Sequence, residues 1–204
     1  MLSPPASASV RFAVGSAPKP LGNTRIAFTT NDHELWTVRP DGSDMRRIAI
    51  HTWGGSAWSR DGELIAFLDP WDHVLAVSRP DGTERRAIAT WPDGPRTPVW
   101  WPDAPDMVRY TKTARRNGVY VAEAFLAPAA GGDSTPLDDG LGATPSYSPD
   151  GRRVALGERN LEGDGSQVDL YVANRDGSGR VPLTSAPDFS GVPAWAPDGE
   201  RIAL

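Results

Sequence analysis

Residues 56–67 read SAWSRDGELIAF, and the same pattern returns as PVWWPDAPDMVRY at 98–110, PSYSPDGRRVAL at 145–156 and PAWAPDGERIAL at 193–204. Each copy holds a small residue or proline, an aromatic, a polar turn that usually ends Asp-Gly, and an alternating apolar triplet. The aromatics are Trp58, Trp100, Tyr147 and Trp195, at steps of 42, 47 and 48 residues. A fifth triplet, Ile26-Ala27-Phe28, stands upstream without its aromatic. A second motif is phased between these copies: LWTVRPDGSDMRRIAI at 35–50, LAVSRPDGTERRAIAT at 75–90 and LYVANRDGSGRVPLTS at 170–185. Residues 119–137, VYVAEAFLAPAAGGDSTPL, hold a degraded copy.

Self-similarity at this period decides the architecture before any single residue is interpreted. Asp-Gly between two short alternating runs is a hairpin signal, because glycine tolerates the positive φ that such turns require. The segment before the first Asp-Gly, the triplet after it, the Leu35–Val38 type run and the run after the second Asp-Gly then make four antiparallel strands. That unit repeats every 40–48 residues or so, the period of a propeller blade. Gly and Pro interrupt most windows long enough for a helix. Val119 to Ala127 admits a helix, but its phase in the repeat favours a strand. The predicted fold is all-β: a propeller of four-stranded antiparallel blades, about four of them, read as part of a six-bladed type.

Composition narrows the function classes. The 204 residues contain no cysteine, which excludes disulfide scaffolds, thiolate metal sites and cysteine nucleophiles. Lys and Arg number 21 against 26 Asp and Glu, a net charge of −5, so nucleic acid and anionic membranes are poor partners. No apolar run approaches the roughly 18 residues of a membrane span. Residues 1–15 show neither a basic cluster nor an apolar core of a signal peptide. The domain reading is 1–24 as an N-terminal extension, partly disordered or supplying a first blade strand from Val10–Val14, and 25–204 as blades ending inside a fifth unit. A fragment of a longer protein, a ring completed by a second copy and closure as four blades all remain open.

These units resemble the TolB-type propeller repeat, whose hallmark is W-S-P-D-G before an I-A-F-type strand. Ser148-Pro149-Asp150-Gly151 with Val154-Ala155-Leu156 fits closely, as does Ala196-Pro197-Asp198-Gly199 with Ile202-Ala203-Leu204. Trp58-Ser59-Arg60-Asp61-Gly62 departs at the proline, and Asp103-Ala104-Pro105 departs most. The resemblance spans about 20–204 and implies fold more than role, because propellers host many functions. It places the chain outside the inner membrane, whereas the absence of a visible leader points to the cytoplasm; the compartment stays open.

Site candidates divide by position. Asp61, Asp103, Asp150 and Asp198 occupy equivalent turns, where an aspartate before glycine bonds the turn's own N–H groups. The motif aromatics fall at fixed phase, which suits packing between blades. Trp53 and Trp91 follow the fourth strands of the first two units, and Phe189 holds a like place in the fourth. With Trp71 they sit in connections, where a rigid scaffold carries binding residues, and they are the candidate partner-binding loops. His33 and His73 lie in corresponding turns beside Asp32 and Asp72. Metal ligands must converge on one point, and equivalent positions on neighbouring blades are displaced, so neither metal nor cofactor is assigned. The acidic, glycine-rich stretch 161–169 lacks EF-hand spacing. There is no G-x-S-x-G, P-loop or dinucleotide fingerprint, and no catalytic residue is assigned.

The leading expectation is a non-catalytic scaffold that binds a protein or peptide through its blade loops, with self-association to complete the ring as a possible addition. The alternative is the substrate-gating propeller of a prolyl oligopeptidase-type serine peptidase whose catalytic domain is not in this chain. A polysaccharide-processing propeller is a third reading, favoured only by convergence of His33, His51 and His73.

Overall fold

The structure is a computed structural model; it describes residues 11–12, 25–52, 55–90, 98–116, 118–141, 145–159, 168–184, 193–196 and 198–203. Among the described residues, eighteen strands fall into four four-stranded sheets and one pair, all antiparallel and in chain order. Blade one comprises β1 (Arg11–Phe12), β2 (Ile26–Thr29), β3 (Leu35–Val38) and β4 (Arg46–Ala49). Blade two comprises β5 (Ala57–Trp58), β6 (Ile65–Asp69), β7 (Val74–Ser78) and β8 (Arg86–Thr90). Blade three comprises β9 (Val99–Trp100), β10 (Met107–Arg116), β11 (Val119–Pro128) and β12 (Thr135–Leu137). Blade four comprises β13 (Ser146–Tyr147), β14 (Arg153–Arg159), β15 (Val168–Asn174) and β16 (Val181–Thr184). β17 (Ala194–Trp195) pairs with β18 (Ile202–Ala203) at the start of a fifth unit. The described residues contain no helix, and Val119–Pro128 is a strand. The first strand expected from Val10–Val14 is Arg11–Phe12, paired with Phe28 and Thr29.

The inner strands of blade two are buried on both faces, and the alternation of side chains assigns each face to a neighbour. In β6, every residue is buried. Ile65 and Phe67 join Ala27, Leu35 and Ile48 of blade one in one cluster. Ala66 and Leu68 point the other way and join Val108, Tyr110 and Ala127 of blade three in a second. A third cluster holds Leu141, Val154, Leu156 and Ala173. The core is thus a series of seams between blades. A register shift recurs after Leu35, Leu75 and Leu170, the first residue of the second motif in blades one, two and four. Such a bulge bends the outer strand and adds twist. Blade three, whose second motif is degraded, pairs regularly at Ala124–Leu137, Phe125–Pro136 and Leu126–Thr135.

In such a meander the turns after the first and third strands lie at one end of a blade, and the links after the second and fourth lie at the other. The first is the Asp-Gly end. The second, the connector end, carries the site candidates.

Candidate functional site at the connector end

Trp71 lies in the turn between β6 and β7 and is 71% exposed, the largest exposure of any large apolar side chain described. Its turn is held from below. The Asp69 Oδ1 accepts from the Trp71 N–H at 3.1 Å and from the Asp72 N–H at 3.3 Å. Asp69 is itself buried and its Oδ2 accepts from Arg85 Nη2 at 2.7 Å, while the same nitrogen reaches Asp72 Oδ2 at 3.0 Å. The indole is therefore presented on a turn whose backbone is held by a charge-assisted network.

Blade one supplies the neighbours. The His51 ring lies 4.8 Å from the Trp71 ring, tilted by 53°. Thr52 ties this connection to the preceding turn: its N–H and Oγ1 donate to the His33 carbonyl at 2.6 and 3.1 Å. Ile50, 48% exposed, precedes His51. The chain's three histidines, His33, His51 and His73, all stand at this end of blades one and two, each exposed. All three have left-handed backbone, with φ of 61°, 59° and 51°. A non-glycine residue there costs about 1–2 kcal/mol, so the surrounding turn must hold it. Among the described residues no three His, Asp or Glu side chains are grouped to hold a metal ion.

Of the expected loop residues, Trp71 is thus placed on an ordered, exposed turn. Trp53, Trp91 and Phe189 lie outside the described residues. The strands that lead toward them, β4, β8 and β16, all end at the connector end.

The motif aromatics are packed between blades. The Trp100 Nε1–H donates to the Ala57 carbonyl on the first strand of the preceding blade at 2.9 Å, and the Trp195 Nε1–H donates to the Ser146 carbonyl in the same way at 2.9 Å. Tyr147 stands at the equivalent place in blade four. Its hydroxyl is buried with no partner, and burial pushes its pKa above the ordinary phenol range. Trp101 packs edge-on against it, ring centroids 5.7 Å apart.

At the Asp-Gly end the carboxylates serve the turns. Asp61 Oδ1 accepts from Ser59 Oγ and the Glu63 N–H; Asp150 Oδ1 accepts from Ser148 Oγ and the Arg152 N–H; Asp198 Oδ1 accepts from the Glu200 N–H. The bond from Ser148 holds the Asp150 carboxyl below the usual range, as the Glu200 N–H does for Asp198. Asp103, which no glycine follows, differs: it pairs with Arg175 of blade four at 2.5 Å, and the bond from that guanidinium lowers its pKa. Gly151 shows why glycine is needed here. Its φ is 71°, and a Cβ at this position would stand 2.8 Å from the Pro102 ring of blade three.

Sequence reasoning missed one buried feature. Arg109 is 1% exposed and grips Asp139 through Nε at 2.6 Å and Nη2 at 3.1 Å. The sign available in the sequence was an arginine at the centre of the triplet Val108-Arg109-Tyr110, where the other units have alanine.

No family model matches the sequence. A Bacillus subtilis protein named as an uncharacterized peptidase, YuxL, is 34% identical over 107 residues, which is 50% of this chain and 16% of that protein. The Tol-Pal system protein TolB of Alcanivorax borkumensis is 33% identical over 61 residues, 30% of this chain and 13% of that protein. The chain thus matches less than a fifth of the length of either curated relative. Among solved structures, a putative TolB from Agrobacterium tumefaciens superposes with a TM-score of 0.64 at 18% identity, covering 94% of this chain and 68% of that one. The four meandering blades, the recurring Ser-x-Asp-Gly turns and this superposition together establish that the chain folds as a TolB-type β-propeller.

Proposed function

We propose that the chain is a non-catalytic docking module that engages a protein or peptide partner at its connector end. The observation that supports this is Trp71: a large aromatic, 71% exposed, on a turn locked by Asp69 and Arg85. A rigid, amphipathic ring of this kind is what anchors an interface, since it brings contact area at little cost in side-chain entropy. The TolB-like fold agrees with such a role but does not assign it.

The test is site-specific photo-crosslinking in cells of the source organism. A photoreactive phenylalanine at position 71 is expected to trap a discrete partner. The same group at Asp176, on a turn at the opposite end, is expected to trap none. Equal trapping from both positions, or none from 71, sinks the reading.

The resemblance to the Bacillus peptidase supports a second reading, in which the propeller limits access to a serine-peptidase domain. Intact mass of the protein isolated from its source, with peptide sequencing past Leu204, separates the two. A continuation carrying G-x-S-x-G favours the peptidase.

A further inference from the structure

Building on the docking reading of Trp71, we infer that this ring receives a cation, and that the partner segment it binds carries arginine. The argument rests on how this chain treats its other tryptophans. Among the described residues, Arg47 lies over Trp36 at 5.9 Å, Arg175 over Trp101 at 4.6 Å and Arg153 over Trp195 at 4.8 Å. Lys112 likewise sits 4.8 Å above Phe125 and 5.6 Å above Tyr110. The remaining two, Trp58 and Trp100, pack against the buried clusters of the first two seams. Among the described residues, Trp71 alone of the six has neither a guanidinium on its face nor a buried cluster around it; its ring neighbour is His51 of blade one. A positive charge over an indole face is attracted by the ring quadrupole.

Its surroundings complete the receptor. The Asp72 carboxylate beside it is 61% exposed, and Asp32 at the neighbouring turn is exposed as well. The cations of this end are already drawn onto carboxylates: Arg47 onto Glu34 at 2.9 Å, and Arg85 onto Asp69 at 2.7 Å and the Asp72 Oδ2 at 3.0 Å. None of these cations lies over the indole, which the His51 ring meets at a tilt. An incoming guanidinium can stack on Trp71 and turn an edge toward the Asp72 Oδ1, the oxygen that Arg85 does not take, a planar fork matched to ring and carboxylate together. The net charge of −5 adds a weak attraction for a basic segment over distance.

The experiment is an NMR titration of the full 204-residue chain, following the Trp71 indole N–H, assigned by its loss in Trp71→Leu. The probes are the capped peptide Gly-Arg-Gly-Arg-Gly, its glutamine counterpart and tetramethylammonium chloride. The arginine peptide is expected to shift the Trp71 signal saturably, about two- to fivefold more tightly than the glutamine peptide, a ratio set by one exposed cation–ring contact. Asp72→Asn is expected to weaken it by a similar factor, and the buried Trp195 signal to stay put. Equal binding of both peptides overturns the cation while leaving docking at Trp71 intact. A response to tetramethylammonium as strong as to the arginine peptide overturns the peptide source. No response to either peptide overturns the inference outright, and the crosslink at position 71 then decides separately whether docking stands.

Discussion

Blades two and three offer equivalent backbone positions to the blade that follows them and fill them with opposite chemistry. In blade two the positions are Ala66 and Leu68 on β6, opposite Val77 and Leu75 on β7. All four are buried and belong to the cluster shared with blade three. In blade three they are Arg109 and Thr111 on β10, opposite Leu126 and Ala124 on β11. Here the seam toward blade four holds the Arg109–Asp139 pair, the Thr111 hydroxyl and the Tyr147 hydroxyl, the last two buried without partners. The first seam gains from removing apolar surface from water, which needs no orientation. The second depends on donors and acceptors meeting in a low-dielectric space, where a satisfied pair holds firmly and an unsatisfied one is costly. One repeat can thus carry two kinds of joint with no change in strand order.

The comparison breaks most visibly at Arg109. Arg109→Ala leaves the Asp139 carboxylate buried without its cation, and the expected loss is about 3–5 kcal/mol in urea unfolding. Replacing the whole pair, as Arg109→Met with Asp139→Leu, is expected to be neutral or to stabilise by about 1–4 kcal/mol, because both desolvation penalties disappear. If the double variant loses as much as the single one, the seam is specified by the ions themselves. The apolar counterpart, Leu68→Ala, is expected to cost about 2–5 kcal/mol through lost burial and a residual cavity. No substitution at a neighbour should restore it.

The first seam was legible in the sequence and the second was not, for a physical reason. Ile65-Ala66-Phe67 announces a buried strand through alternation, which is a local signal. Asp-Gly announces its turn, and the structure places Gly62, Gly151 and Gly199 at φ of 75°, 71° and 72°. The Arg109–Asp139 pair joins residues 30 positions apart, and nothing local to Asp139 marks it as the partner. The candidate loops show the same limit. A tryptophan between Pro70 and Asp72 is visible as an exposed turn residue, but its lock through Asp69 to Arg85 crosses 16 positions. The tilted contact of His51 with Trp71 joins two blades. Period and turn chemistry fix the scaffold; side-chain networks between blades need the scaffold first.

A smaller effect tests the aromatic stitch across seams. Trp100→Phe removes the indole bond to the Ala57 carbonyl while keeping a ring in place, and should cost about 1 kcal/mol plus lost contact area. Trp195→Phe should behave alike, since its bond to Ser146 is the same length. Tyr147→Phe should be neutral or stabilising, because it removes a buried hydroxyl that has no partner. Thermal unfolding of the three variants side by side would sharpen the contrast. A loss at Tyr147→Phe equal to that at Trp100→Phe would mean that the polar seam uses the hydroxyl after all.

The smallest effect concerns the edge of the joint between blades one and two. Asp44 takes bonds from Arg46 Nε at 2.8 Å and Arg25 Nη1 at 2.7 Å, and those partners, Arg46 foremost, hold its pKa at about 2. Arg25 also donates through Nε to Thr37 Oγ1, which donates in turn to the Pro80 carbonyl of blade two at 2.7 Å. This carboxylate therefore orients a chain of bonds across the seam. A carboxyl group whose pKa is depressed on folding stabilises fully above its unfolded value, about 3.9, and loses that contribution as the pH falls through its folded value. Stability measured at low salt should decline between about pH 4 and 2 in the parent chain, and Asp44→Asn should flatten that part of the curve. The difference should shrink at 1 M salt, where screening acts over about 3 Å. An unchanged slope in Asp44→Asn would show that this edge contributes nothing to the joint and that its apolar cluster alone binds blade one to blade two.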